Sequence, residues 1–233
     1  MQQFVFELNE SENYSNEDYI VSVSNQAAIQ TINNWPNWGN RLYHNILLIY
    51  GVEGCGKTHL SHIWQRKSNA KFLSKLAFYQ YSPNELLDRT DCYIIEDFEE
   101  WIDLEIKLLH LLNLIIEKKK FLLITMNTRP RAISIKLLDL SSRLYSFPNI
   151  EISAPDDELL SKILLKYFAD RHLRVNTQII NYMLPRIERS FANLKKFVEA
   201  LDKKSLVEKR NITIPLIKEV LDYIDYENKY HAQ

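Results

Sequence analysis

The chain has 233 residues, enough for a medium domain and a smaller second one with a buried core. With 46% hydrophobic residues it is not a disordered chain, and a formal net charge of −1 argues against broad, phosphate-neutralising contact with nucleic acid. Two cysteines, Cys55 and Cys92, are too few for a disulfide framework or a zinc site, and no apolar run reaches the ~18 residues of a membrane span, so a cytoplasmic protein is expected.

In chain order, residues 1–16 are polar and acidic apart from Phe4, Val5, Phe6 and Leu8, and read as a mobile tail with one short apolar motif. Residues 24–35 carry a helical pattern with Ser24 as its N-cap, ending in a loop at Pro36 and Gly39. The apolar run 45–50 has strand length and leads straight into a glycine-rich loop, followed by a helix over 57–67. Next come a second strand over 72–81, a short helix over 84–87 and a buried strand over 92–96. A helix over 104–117 ends in the lysines at 118–120, read as a solvated helix end; strands follow over 121–125 and 149–153. Buried strands alternating with helices predict a parallel sheet covered on both faces. From residue 155 the pattern is helical only, over 157–171, 177–187, 191–207 and 214–226, with Thr213 capping the last and Pro215 early in it. The expected layout is a tail (1–16), an α/β nucleotide-binding domain (17–154) and a small all-α lid (155–233).

Four features carry chemistry. Residues 51–58, Gly-Val-Glu-Gly-Cys-Gly-Lys-Thr, form a phosphate loop between a buried strand and a helix. Gly51, Gly54 and Gly56 let backbone amides turn toward phosphate oxygens, while Cys55 contributes backbone. Lys57 reaches the β- and γ-phosphates, and the Thr58 hydroxyl can ligate Mg2+. Glu96 and Asp97 end a buried strand, where one acid can hold the metal and the other orient a water. Asn127, at the tip of the 121–125 strand, can touch the γ-phosphate or its water. Arg143 can reach a neighbouring subunit's nucleotide, and an ordinary surface arginine fits the spacing equally well.

Taken together, these residues resemble the AAA+ module of the replication initiator DnaA, and more closely its short paralogue Hda in alphaproteobacterial form. The resemblance runs along nearly the whole chain. It is carried by Asn16-Glu-Asp-Tyr-Ile-Val-Ser-Val-Ser-Asn25, Asn34-Trp-Pro-Asn-Trp38, the phosphate loop continuing through His59 and Leu60, and Leu123-Ile-Thr-Met-Asn-Thr-Arg-Pro130. It continues through Leu140-Ser-Ser-Arg-Leu144, Ala154-Pro-Asp-Asp-Glu158, Arg186-Ile-Glu-Arg-Ser190 and Ile212-Thr-Ile-Pro-Leu-Ile-Lys-Glu-Val-Leu221. The fold it implies is an α/β P-loop AAA+ core with a parallel sheet flanked by helices, then a helical lid.

The resemblance also implies roles. Tyr19 and Ile20 flank the adenine, His59 belongs to the nucleotide loop, Asn127 is sensor 1, and Arg143 faces a subunit interface. Gln3, Phe4, Phe6 and Leu8 look like the motif by which such proteins dock on the DNA polymerase sliding clamp. Two departures stand out. The family's sensor 2 arginine falls on Ala192, with Lys195 or Lys196 able to substitute only in another helix register, and Glu96-Asp97 reverses the usual acid order. Both point to weak or absent ATPase activity of the chain's own. The chain leaves no room for the DNA-reading domain of an initiator, so no sequence-specific DNA contact is expected. The implied function is regulation of replication initiation: ATP or ADP binding with Mg2+, clamp docking, and stimulation of ATP hydrolysis on DnaA. An adaptor that recruits DnaA without stimulating it, a free-standing ATPase, and homo-oligomerisation all stay open.

Overall fold

The computed structural model describes residues 19–38 and 43–230, with side chains described as far as Ile224. The clamp-motif residues Gln3, Phe4, Phe6 and Leu8, and the loop residue Gly39, lie outside the described residues. The chain divides into two compact units, one ending at Ala154 and the other beginning at Pro155.

The first unit opens with α1 (Gln26–Asn33) and β1 (Ile46–Tyr50), followed by α2 (Lys57–Ser68) and β2 (Lys71–Phe72). Then come α3 (Lys75–Gln80), α4 (Pro83–Leu86), β3 (Cys92–Ile95), a 3-10 turn (Phe98–Leu104) and α5 (Glu105–Glu117). β4 (Phe121–Met126), α6 (Leu138–Ser146) and β5 (Asn149–Glu151) complete it. Among the described residues the five strands form one parallel sheet in the order β2-β3-β4-β1-β5. The apolar runs of β1, β3 and β4 are continuous because those strands lie inside the sheet and bury both faces. Their alternation feeds two separate cores. Ile46, Leu48, Tyr93, Ile95, Leu122 and Ile124 face a cluster holding Leu108, Leu111 and Leu112 of α5 and Leu140 and Leu144 of α6. Leu47, Ile49, Ile94 and Leu123 face the other, with Ile29 of α1 and Leu60, Ile63 and Trp64 of α2.

The sheet register builds the site. Tyr50 pairs with Met126 and Ile95 with Ile124, so Gly51, Asn127 and the Glu96-Asp97 pair emerge side by side at one sheet edge.

Four expectations are corrected. Residues 72–81 are not a strand. β2 ends at Phe72, Ser74 accepts a hydrogen bond from the Ala77 amide, and α3 turns inward on Phe78 while Tyr79 stays exposed. Ser24 does not cap α1. Asn25 holds the cap position with no side-chain cap bond to the helix; its side-chain Oδ1 accepts from the Ser22 amide (2.9 Å) and its Nδ2 donates to the Ile20 carbonyl (3.0 Å). The helix expected over 177–187 ends at Met183 and tightens to a 3-10 turn, Leu184–Arg186, at Pro185, which has no N–H to donate. The lysine run is not simply solvated either: the Lys120 ammonium donates to the Thr90 carbonyl (2.7 Å) and pairs with Asp91 (3.2 Å).

The second unit is helical: α7 (Asp157–Asp170), α8 (Thr177–Met183), α9 (Phe191–Glu208) and α10 (Ile214–Tyr230). Leu160, Leu164, Phe168, Ile180, Leu194, Phe197, Leu201 and Ile217 form its core. Among the described residues of the chain, no helix is long and apolar enough to cross a membrane.

Candidate nucleotide-binding site

The phosphate loop leaves β1 at Gly51, where a Cβ would meet the Ile152 carbonyl oxygen at 2.3 Å and the Cys55 sulfur at 2.9 Å, so any larger residue would force the loop off β5. Gly56 holds φ 101°, a left-handed backbone that starts α2 with no side-chain cap. No side chain caps α2, so a phosphate would meet the uncapped positive end of a twelve-residue helix that has no acid in its first turn. Cys55 turns its thiol into the core, and burial pushes that thiol up, partly offset by Lys57.

Lys57 is buried, and its ammonium is satisfied. Nζ donates to the carbonyls of Gly51 (2.8 Å) and Val52 (3.1 Å) and to Oδ1 of Asn127 (2.9 Å). The Asn127 amide in turn donates to Oδ1 of Asp97 (3.4 Å). Lysine from the start of α2, with asparagine and aspartate from just beyond β4 and β3, thus forms one polar chain. Asp97 is pinned at its own amide by Thr125 Oγ1 (3.1 Å) in a left-handed conformation, φ 48°. For a non-glycine residue that backbone is strained, a feature that gathers at functional sites.

Glu96 lies beside this chain. Burial raises its carboxyl above the usual range; the Thr58 hydroxyl draws it back, Asp97 pushes it up again, and His62 and Ser61 oppose that. Glu96 Oε1 and Ser61 Oγ are buried with no hydrogen-bond partner. A hydroxyl next to a carboxylate with an unsatisfied oxygen is a donor set that fits Mg2+, which needs few protein ligands when phosphates supply the rest. Thr58, Glu96 and Asp97 are the residues that could hold it. No cluster of three or more His, Cys, Asp or Glu in metal-binding arrangement occurs among the described residues. A cavity of about 370 Å3 adjoins the acids, lined by His62, Phe72, Leu73, Lys75, Glu96, Asp97, Glu100 and Trp101.

Tyr19 is buried against His59, rings edge to face at 5.1 Å, beside Cys55, and burial raises its hydroxyl. That hydroxyl has no hydrogen-bond partner. Ile20 is half-buried next to it, its carbonyl held by Asn25. The structure therefore brings Tyr19 and His59 to the phosphate loop, and gathers Lys57, Thr58, Glu96, Asp97 and Asn127 at the sheet edge. Arg143 is not part of that gathering. It sits half-buried in the last turn of α6, and among the described residues its guanidinium makes no hydrogen bond or ion pair. In the second unit, Ala192 is exposed in the first turn of α9, and Arg189 pairs with Asp157 at 2.9 Å. Sequence reasoning missed Glu99, whose carboxylate accepts from the amides of Asn127 (2.7 Å) and Thr128 (2.9 Å).

A phosphate loop on an inner strand, acids on a second strand tip and an asparagine on the strand between them define a P-loop module of AAA+ type. Comparison with known proteins narrows the class. A model of the bacterial DnaA ATPase domain matches residues 10–84, and a model of the Hda lid domain matches residues 157–221. An uncharacterised protein of Haemophilus influenzae is 30% identical over 185 residues, 75% of this chain and 80% of that protein. The initiator DnaA of Buchnera aphidicola (subsp. Cinara cedri) is 23% identical over 93% of this chain; the chain spans 54% of its length. Domain III of Thermotoga maritima DnaA superposes with TM-score 0.73 at 19% identity, over 91% of this chain and 96% of that one. DnaA of Aquifex aeolicus bound to AMPPCP superposes with TM-score 0.71 at 18% identity, over 94% and 70%. The chain belongs to the DnaA-related AAA+ family, of the Hda type.

Proposed function

We propose that the chain binds ATP or ADP with Mg2+ at residues 51–58 and limits replication initiation by acting on DnaA. The observation that carries the reading is the polar chain from Lys57 through Asn127 to Asp97, at a loop whose helix has no side-chain cap. Lys57 would exchange its loop carbonyls for phosphate oxygens, and the α2 amides would hold the β-phosphate. Thr58 and Glu96 would carry the metal, which supplies charge neutralisation at the phosphates when bound. Tyr19, Ile20 and His59 would border the base. Hydrolysis by the chain itself would be weak, because Asp97 is shorter than glutamate and its oxygen already meets Asn127.

Arg143 would act outward. A half-buried guanidinium with no described partner is free to pair with a nucleotide held by a second protein. Residues 3–8 would bring the chain to the sliding clamp on DNA, in the cytoplasm, where DnaA carrying ATP can meet it. An arginine placed on a transferring phosphoryl group contributes about 10³–10⁵ in rate. The test is DnaA-bound ATP hydrolysis in a mixture with clamp, DNA and this chain. Stimulation by the wild type that is lost in Arg143→Ala supports the reading. Equal stimulation by both overturns it, and complex formation without stimulation would make the chain an adaptor instead.

A further inference from the structure

We propose that Glu99 is a positioning residue: it fixes the strand-tip turn that holds Asn127 between Lys57 and Asp97, and so sets how the site tells a triphosphate from a diphosphate. The inference rests on the nucleotide-binding reading above. Glu99 stands in the 3-10 turn that follows the acid pair, two residues beyond Asp97. Its Oε1 accepts three hydrogen bonds, from the amide of Asn127 (2.7 Å), the amide of Thr128 (2.9 Å) and the hydroxyl of Thr128 (3.2 Å). Its other oxygen, Oε2, is buried with no hydrogen-bond partner. A buried, unsatisfied carboxylate oxygen is unfavourable, so a group that keeps one calls for a compensating role. Three donors converging on Oε1 supply it, and charge-assisted bonds of this kind are the strong ones.

These donors lie just past β4. Met126 still belongs to the ladder, with its carbonyl accepting from the Gly51 amide at 3.2 Å. Beyond it, the hydrogen bonds of both the 127 and 128 amides end on Glu99. The turn is thereby tied to the segment that carries Asp97. Asn127 can then aim its oxygen at the Lys57 ammonium and its amide at the Asp97 carboxylate together. A γ-phosphate beside Lys57 would meet that amide, whereas a diphosphate stops short of it. Without Glu99 the turn loses its anchor, and the amide loses its aim.

The experiment compares wild type, Glu99→Ala, Glu99→Gln and Asn127→Ala by calorimetry with Mg-ATP and with Mg-ADP, and by amide hydrogen exchange at residues 127 and 128 without nucleotide. Glu99→Ala is expected to follow Asn127→Ala: about ten-fold weaker ATP binding with ADP within about two-fold. Exchange at the two amides should rise by about ten-fold or more. Glu99→Gln keeps an accepting oxygen and should stay close to wild type in both. Unchanged ATP affinity and exchange in Glu99→Ala would overturn the inference, as would an equal loss of ATP and ADP, the mark of a merely structural role. If the wild type takes up neither nucleotide, the nucleotide reading fails by itself, and the exchange data still decide whether Glu99 holds the turn.

Discussion

The helical unit and the helix that follows the phosphate loop use their polar groups in opposite ways. In the helical unit the first turns of α7, α8 and α9 are closed by side chains: Asp156 accepts from the Leu159 amide (2.7 Å), Asn176 from Ile179 (3.0 Å) and Ser190 from Asn193 (3.2 Å). Its charges pair on the surface, as in Arg210 and Lys204 with Glu219. In the α/β unit, α2 begins at a glycine with no side-chain cap, and a lysine is buried. The buried side-chain atoms without hydrogen-bond partners, among the described residues, all fall in this unit; Tyr19, Ser61, Glu96 and Glu99 lie on the elements that form the candidate site. Helix ends and polar groups that are satisfied internally serve folding. Those left open beside the phosphate loop and the acid pair are where a ligand is expected to complete them, whereas Trp35, Trp38, Trp64 and Asn113 carry unpartnered atoms away from the site.

The largest effect should come from the helical unit's core, where nothing but packing is at stake. Phe197→Ala empties a fully buried position and should cost about 3–5 kcal/mol in urea unfolding. A smaller cost would mean that this unit is loosely packed, and the contrast would weaken. Next, Lys57→Met keeps most of the side chain's volume while removing the ammonium. It should reduce Mg-ATP affinity on the order of a hundred-fold by calorimetry with the fold intact by circular dichroism. If melting suffers and affinity does not, Lys57 is a structural lysine.

Glu96 gives the contrast a pH signature. Its carboxyl is raised in the folded state, so the folded protein binds the proton more tightly than the unfolded chain does. Its contribution to stability is therefore fully present below the ordinary carboxylate range and is lost as pH rises through the raised value. Glu96→Gln should remove that decline, raising the neutral-pH melting temperature of the ligand-free protein slightly while weakening Mg2+-dependent nucleotide binding. A variant that melts lower at neutral pH would show that the carboxylate is satisfied within the fold. The smallest effect belongs to the surface: Glu219→Ala should leave melting almost unchanged, since exposed ion pairs contribute little.

How much of this was legible in the sequence depended on the range of the interaction. The inner strands were readable because burial on both faces leaves an unbroken apolar run, and the phosphate loop because its chemistry is local and contiguous. The 72–81 segment misled through its aromatic residues. Only Phe78 is buried, and Ser74, a good cap, was the local sign of a helix. The break at Pro185 was also local and was overlooked. Glu99 was a different matter. Its partners lie 28 and 29 positions away, and only the β3–β4 register brings them together. Asn127, by contrast, was found because a polar residue at a strand tip behind a phosphate loop carries its own meaning.

The most direct test is calorimetric titration of the wild-type chain with Mg-ADP and Mg-ATP, with Lys57→Met alongside. Saturable uptake of about one nucleotide per chain by the wild type, and its loss in the variant, is the predicted result. No heat of binding from a folded wild-type chain with either nucleotide, or equal uptake by both proteins, would contradict a phosphate site at this sheet edge.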